Sequence, residues 1–401
     1  MPTTIIITIT LLILFAYIFD LTASRTRIPT VILLLLCGWG VKQLADVFGI
    51  NIPDLQPVLP ILGTLGLILI VLDGGLELEL DRGRIPLITK SLITAFFPML
   101  FLAGLLTGAF LYFGNSFHAS ISNAIPFCVI SSAIAIPTAT HLSQSKREFI
   151  VYESSLSDIL GVVFFNLFAL EETLNGMIFL RFLYQILLMA LISFVATALL
   201  AWLLSRAKHK VRYTPIIFLT ILIYEVAKIY HLPALIFILV FGVFLGSLDK
   251  IKALRWLERL RPEVLGQEVD RFKDIVAEAT FVVRVLFFLL FGYLLKTEQI
   301  FDVQSAAWAA LITVLIFGLR AMQLKLLKLD LLPLLFIAPR GLITVLLFLT
   351  IPAALSIPQA NNSLVIQVII ITALIMMVGT IMGEKKPAIH TEPAPEVTDV
   401  S

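Results

Sequence analysis

Apolar residues run through this chain in stretches of about 17–25, the length that carries an α-helix across the hydrocarbon core of a bilayer, and short polar segments separate them. Thirteen spans are predicted, near 4–22, 28–47, 55–77, 85–113, 120–142, 149–170, 178–204, 213–231, 232–248, 275–296, 303–324, 331–352 and 364–383. No polar stretch between them is long enough to bury a core of its own. Residues 1–383 therefore read as one all-α integral membrane unit, and residues 384–401 as a short disordered cytoplasmic tail.

Lys and Arg orient the chain, because they concentrate in cytoplasmic loops. With these spans they fall on one side at Arg25 and Arg27, at 82–90, 146–147, 206–212, 250–273 and 325–328, and at Lys385 and Lys386. Only Lys42, Arg181, Lys228 and Lys296 fall on the other side, while Arg284, Arg320 and Arg340 lie inside spans. The N-terminus is expected outside and the C-terminus in the cytoplasm, in a cell inner (plasma) membrane. The start of the chain has no basic segment before its first span, so that span is expected to stay in the mature protein.

Composition agrees with a membrane protein: 59% of residues are hydrophobic, against about 45–50% in soluble domains, and 14% are charged. The mean hydropathy is +1.02. Nothing in the net charge of +2 marks a nucleic-acid binder. Cys37 and Cys128 sit in apolar runs and read as small hydrophobes rather than a disulfide or metal ligands. The spans hold no Ser/His pair, metal-spaced His cluster or zinc motif, so neither an enzyme nor a resident cofactor is expected. The basic stretch 249–274 has apolar residues at helical spacing and fits either a helix lying on membrane lipids or a solvated linker helix.

Two prolines interrupt spans in corresponding places, in Ala135-Ile136-Pro137 of the fifth and Ala338-Pro339-Arg340-Gly341 of the twelfth. The chain divides into repeat one (about 4–170), a linker helix (178–204) and repeat two (about 213–383), so each proline falls in the fifth helix of its half. Paired broken helices in two inverted six-helix halves point to a midplane ion site. Ser131, Ser132, Thr138 and Thr140 offer hydroxyls there, and Arg340 is placed to offset the negative end of a half-helix.

The sixth span carries two carboxylates, Glu153 and Asp158. A charge at a helix centre costs about 2.5–3.5 kcal/mol on insertion scales, so such residues pair or line a wet path. Five residues apart, the two lie about 140° apart around the helix and face different partners. Arg320, in mid-span, is the partner expected for Glu153. Asp158 is then the exchangeable carboxylate, at which a proton and a monovalent cation compete for the same oxygens, unless it only bonds a neighbouring helix. Asp73 is a secondary candidate, lining the cytoplasmic mouth or capping its own helix.

Glu-Ser-Ser-Leu-Ser-Asp (153–158), Leu-Asp-Gly-Gly-Leu-Glu-Leu-Glu-Leu (72–80) and Pro-Arg-Gly-Leu-Ile (339–343), with Arg320 between them, resemble the motifs of the monovalent cation:proton antiporters, in particular the sodium/proton exchanger branch. The resemblance implies an inverted-repeat fold with two crossing broken helices. It also implies a homodimer whose core domain moves against a dimerisation domain, and exchange of Na+ or Li+, in some members K+, for H+. Two positions depart from it. Ser157 stands where the branch has asparagine beside the transport aspartate, and Ala135 and Ile136 stand where threonine and aspartate precede the fifth-helix proline. The expectation is an electroneutral secondary antiporter with Asp158 and Ser157 at its cation and proton site. The alternative is an ion-binding or sensory membrane protein that keeps the fold with altered or lost transport.

Overall fold

A computed structural model describes residues 10–19, 21–22, 29–49, 55–78, 82–169, 177–206, 213–230, 232, 234–247 and 262–382. Within them the chain is helical, with no strand. The helices are α1 (Thr10–Phe19), α2 (Thr30–Val47), α3 (Val58–Glu77), α4 (Ile85–Tyr112), α5 (Phe117–Ala124), α6 (Ser132–Thr138), α7 (Gln144–Ala169) and α8 (Met177–Arg206). There follow α9 (Tyr213–Ile229), α10 (Leu235–Gly246), α11 (Pro262–Leu294), α12 (Thr297–Ile300), α13 (Val303–Leu326), α14 (Leu342–Leu349) and α15 (Asn362–Met382).

Nine helices among the described residues are long and apolar enough to cross a membrane, the α5–α6 stretch Phe117–Thr138 taken as one. The other predicted spans coincide with shorter elements: α1, α9, α10 and the half-helix α14. Pro233 and the tail 384–401 lie outside the described residues. The expected separation of a surface helix from the tenth span does not hold where the chain is described: residues from 262 onward continue into one 33-residue helix, α11. At 1.5 Å per residue this is about 50 Å, well beyond a hydrocarbon core of about 30 Å, so α11 carries charged turns past the apolar layer.

Packing sorts the helices into two bundles. α3 lies along α10 and α11, α2 along α11, and α8 along α10; in the other bundle α4 packs on α7 and α13, α13 on α15, and α5 and α6 on α7. Contact between the bundles runs chiefly through α3, which meets α14 and, over a short length, α6 and α7. Buried phenylalanines fill the first bundle, among them Phe237, Phe241, Phe272, Phe287 and Phe288.

Without a hydrophobic drive between helices in lipid, close packing depends on small residues. A side chain on Gly38 of α2 would strike the backbone of Leu289, and one on Gly292 of α11 the backbone of Leu35. Neither neighbour can rotate away. Gly40, also on α2, faces open space, with nothing within 4 Å of a Cβ placed there. Gly38→Val or Gly292→Leu is expected to push α2 and α11 apart and destabilise the fold by about 1–3 kcal/mol, the scale of overpacking. Thermal unfolding of detergent-solubilised protein checks this, with Gly40→Ala melting at or above the wild-type temperature.

The fifth span breaks seven residues earlier than its proline suggested. After α5 the chain makes a tight 3₁₀ turn over Ile125–Cys128, runs extended from Val129 to Ser131, and resumes as α6. Pro137 and Thr138 are therefore the last residues of α6, not the break, which corrects their expected place in the broken region. The reason is positional: Pro137 removes one late backbone donor in a seven-residue helix, and that ends the helix rather than splitting the span. Ala135 and Ile136 accordingly do not flank the interruption. The twelfth span is irregular from Ile337 to Gly341, so there Pro339 and Arg340 do stand at the break.

Candidate functional site

Unpaired backbone groups at membrane depth are tolerated only where protein or water satisfies them. The two breaks satisfy one another. Ser131 N–H donates to the Pro339 carbonyl at 2.9 Å, and Ile130 N–H donates to Ser157 Oγ on α7 at 2.9 Å. Ser132 donates to Asp158 Oδ2 twice, from its N–H at 3.3 Å and from its hydroxyl. On the other side of the crossing Arg340 fans across free carbonyls: Nε to Phe127 at 2.7 Å, Nη1 to Ala338 at 2.9 Å and Nη2 to Cys128 at 3.3 Å. Its backbone N–H is held by Thr372 Oγ1 at 3.0 Å.

Ser157 thus spends an oxygen lone pair on the backbone of the break. The sequence suggested that a serine there is too short to bridge helices; in the structure it bridges α7 to the extended segment directly. Thr138 does not face the crossing through its hydroxyl, which donates to the Ile134 carbonyl one turn back at 2.8 Å. Val129 and Ile130 occupy the break itself, so the carboxylate at the crossing is Asp158.

The two carboxylates of α7 have opposite surroundings. Glu153, 1% exposed, receives both terminal guanidinium nitrogens of Arg320 at 2.8 Å, and Arg320 Nε donates to the Leu334 carbonyl at 2.7 Å. That bidentate geometry uses both oxygens of Glu153. Asp158, 2% exposed, has no basic side chain paired with it among the described residues, and its Oδ1 meets no hydrogen-bond partner there. A buried carboxylate with one oxygen unmet is suited to take up a proton or a small cation.

Asp73 lies apart from these bonds. It is half-buried on α3, one turn before Glu77 and within electrostatic reach of Glu77 and Arg284. A cavity of about 560 Å³ opens at that end of the molecule, lined by Glu77, Arg84, Thr140, Arg147, Glu148, Val151 and Tyr152 among others. Two ion pairs stand in its walls, Arg147 to Glu77 at 3.5 Å and Arg84 to Glu148 at 3.4 Å, the first joining α7 to α3 across the two bundles. The sequence reading missed this cross-bundle pair, because nothing in the spacing of 77 and 147 brings them together.

Removing one member of the Glu153–Arg320 pair strands the other in an apolar interior, at a typical cost of about 3–5 kcal/mol. Glu153→Gln or Arg320→Met alone is expected to lower the melting temperature of the purified protein strongly. The double change Glu153→Leu with Arg320→Met is expected to be milder than the sum of the single losses. A double variant as damaged as that sum contradicts a mutually compensating pair.

Comparison with known proteins follows the same lines. Residues 10–383 match the family model described as sodium/hydrogen exchanger, transmembrane. Among solved structures, the sodium proton antiporter MjNhaP1 from Methanocaldococcus jannaschii at pH 8 superposes with a TM-score of 0.65 at 17% identity, over 94% of this chain and 95% of that one. The chain of a three-dimensional electron-microscopy map of the same antiporter gives a TM-score of 0.67 at 17% identity, over 96% of this chain and 99% of that one. At that identity the likeness establishes the fold. No curated protein sequence matches the chain.

Proposed function

Because this chain belongs to the sodium/hydrogen exchanger family, whose members are transporters and not enzymes, we propose that it exchanges a monovalent cation, Na+ or Li+ and alternatively K+, for H+ by alternating access, with Asp158 as the shared site. The observation that carries this reading is the state of Asp158: buried at the crossing, bonded through one oxygen to Ser132, and unmet at the other. A proton or a cation completes it, and each excludes the other from the same oxygens.

The division of labour follows. Glu153 and Arg320 neutralise each other and hold α7 to α13. Arg340 stabilises the carbonyls left free by the breaks, and Ser157 pins the extended segment. None of these charges has to change during a cycle. With Asp158 loaded by a proton or by a monovalent cation, the crossing has the same net charge, so the loaded carrier reorients equally well with either. The bundle holding α7 and the crossing moves against the bundle of α2, α3, α10 and α11, and the narrow contact through α3 suits such movement. The cavity at the α3–α4 and α6–α7 connections faces the cytoplasm in this reading, with the N-terminus outside an inner membrane. We also take a homodimer from the family resemblance.

The test is exchange in proteoliposomes carrying an internal pH dye and pulsed with Na+, Li+ or K+. At least one cation is expected to move protons through the wild type, and Asp158→Asn is expected to fall to the rate of empty vesicles. Silence of the wild type toward all three ions, or normal exchange by Asp158→Asn, defeats the proposal. A lone exchangeable carboxylate further implies one proton per cation. Initial rates of Na+-driven proton movement are therefore expected to stay the same when a potassium diffusion potential is imposed with valinomycin; a rate that follows the potential contradicts that stoichiometry.

A further inference from the structure

The cavity that reaches toward the site ends short of it. Tyr152 lines its wall and Asp158 lies six residues further along α7, about 9 Å at 1.5 Å per residue. Val151, Ser155 and Asp158 recur at the i, i+4, i+7 spacing of one helix face. That face therefore leads from the cavity wall, through Ser155, to Asp158.

Ser155 is 1% exposed, and its hydroxyl oxygen has no hydrogen-bond partner among the described residues. This is unusual for a serine inside a helix, where the hydroxyl has the carbonyl one turn back at hand. The neighbouring Ser154 shows the ordinary outcome, donating to the Ile150 carbonyl at 2.7 Å. Opposite Ser155 stands Gly74 of α3, where a Cβ would lie 2.9 Å from the Ser155 oxygen. The glycine leaves the hydroxyl room to turn.

We propose that Ser155 supplies a second side-chain oxygen to the transported cation, beside the unmet Oδ1 of Asp158, and so sets which monovalent ion the site prefers; this rests on the reading of Asp158 as the cation site. Two observations carry it independently: the unmet oxygen of Asp158 and the unmet, buried hydroxyl on the same helix face between it and the cavity. Small hard cations take oxygen ligands and need several of them. A carboxylate oxygen and a hydroxyl one helical turn apart converge on a single small ion, since side chains at i and i+3 are neighbours on a helix surface. Protonation of Asp158 needs no such second ligand, so Ser155 acts on the cation half of the exchange.

The experiment measures initial exchange rates in proteoliposomes across Na+ and Li+ concentrations for wild type, Ser155→Ala and Ser154→Ala. Ser155→Ala is expected to raise KM for the cation about tenfold, the scale of one lost polar contact, with kcat within about twofold and a changed Na+ to Li+ ratio of KM values. Ser154→Ala is expected to leave both KM values within about twofold, because its hydroxyl is held by Ile150. Unchanged KM values in Ser155→Ala overturn the inference, as does an equal rise in Ser154→Ala, which would assign the effect to helix packing. If Ser155→Ala does not yield folded protein, Gly74→Ala decides: it keeps the hydroxyl but crowds it, and an unchanged KM there overturns the inference. Normal exchange by Asp158→Asn sinks the parent reading, whereas a silent Asp158→Asn beside an unaltered Ser155→Ala sinks this inference alone.

Discussion

Backbone that leaves helical geometry at membrane depth has no water to satisfy it, and each orphaned group there costs several kcal/mol. The structure meets that constraint at one place. Ser131 N–H finds Pro339, Ile130 N–H finds Ser157, Ser132 finds Asp158, and Arg340 covers the carbonyls of Phe127, Cys128 and Ala338. Each break is tolerable because the other break and α7 lie against it. The same bonds locate the one carboxylate oxygen that they leave over.

Three of the charges gathered here are settled by their partners and one is not. Glu153 and Arg320 close on each other with both oxygens and both terminal nitrogens, and Arg340 is spent on backbone oxygens. Such a framework fixes the position of α7 without needing to titrate. Asp158 differs through what it lacks rather than through what it touches. A second cation beside it would make it another structural pair; a second hydrogen-bond donor on Oδ1 would quench it. The proposed transport role follows from this asymmetry between two carboxylates on one helix, and the role proposed for Ser155 from the same kind of unmet oxygen one turn nearer the cavity.

Much of this was legible in the sequence, for physical reasons that also explain the failures. Long apolar runs announce membrane helices, and the distribution of Lys and Arg orders their ends. A partner for Glu153 had to be sought among the few cations inside spans, and the structure has Arg320 there. Pro339 marks its break because Arg340 and Gly341 follow it in an otherwise apolar run. Pro137 misled, since a proline late in a short helix only ends that helix; the true break at Val129–Ser131 contains apolar residues that look like ordinary span in a linear reading. Ser157 and Ser155 were invisible in a different way. What a hydroxyl does depends on whether a backbone N–H from another element reaches it, as Ile130 reaches Ser157, or nothing does, as at Ser155 opposite Gly74. No spacing along the chain records that.

The central claim is that cation and proton compete for one carboxylate, and proton release on cation binding tests it most directly. Purified protein in weakly buffered detergent solution is titrated with Na+ and Li+ while a pH dye reports released protons, at a pH where the site begins protonated. The account predicts release of about one proton per protomer on saturation in the wild type, as competition for a single group requires, and no release in Asp158→Asn. Saturable cation binding without proton release, or release that persists in Asp158→Asn, would contradict it.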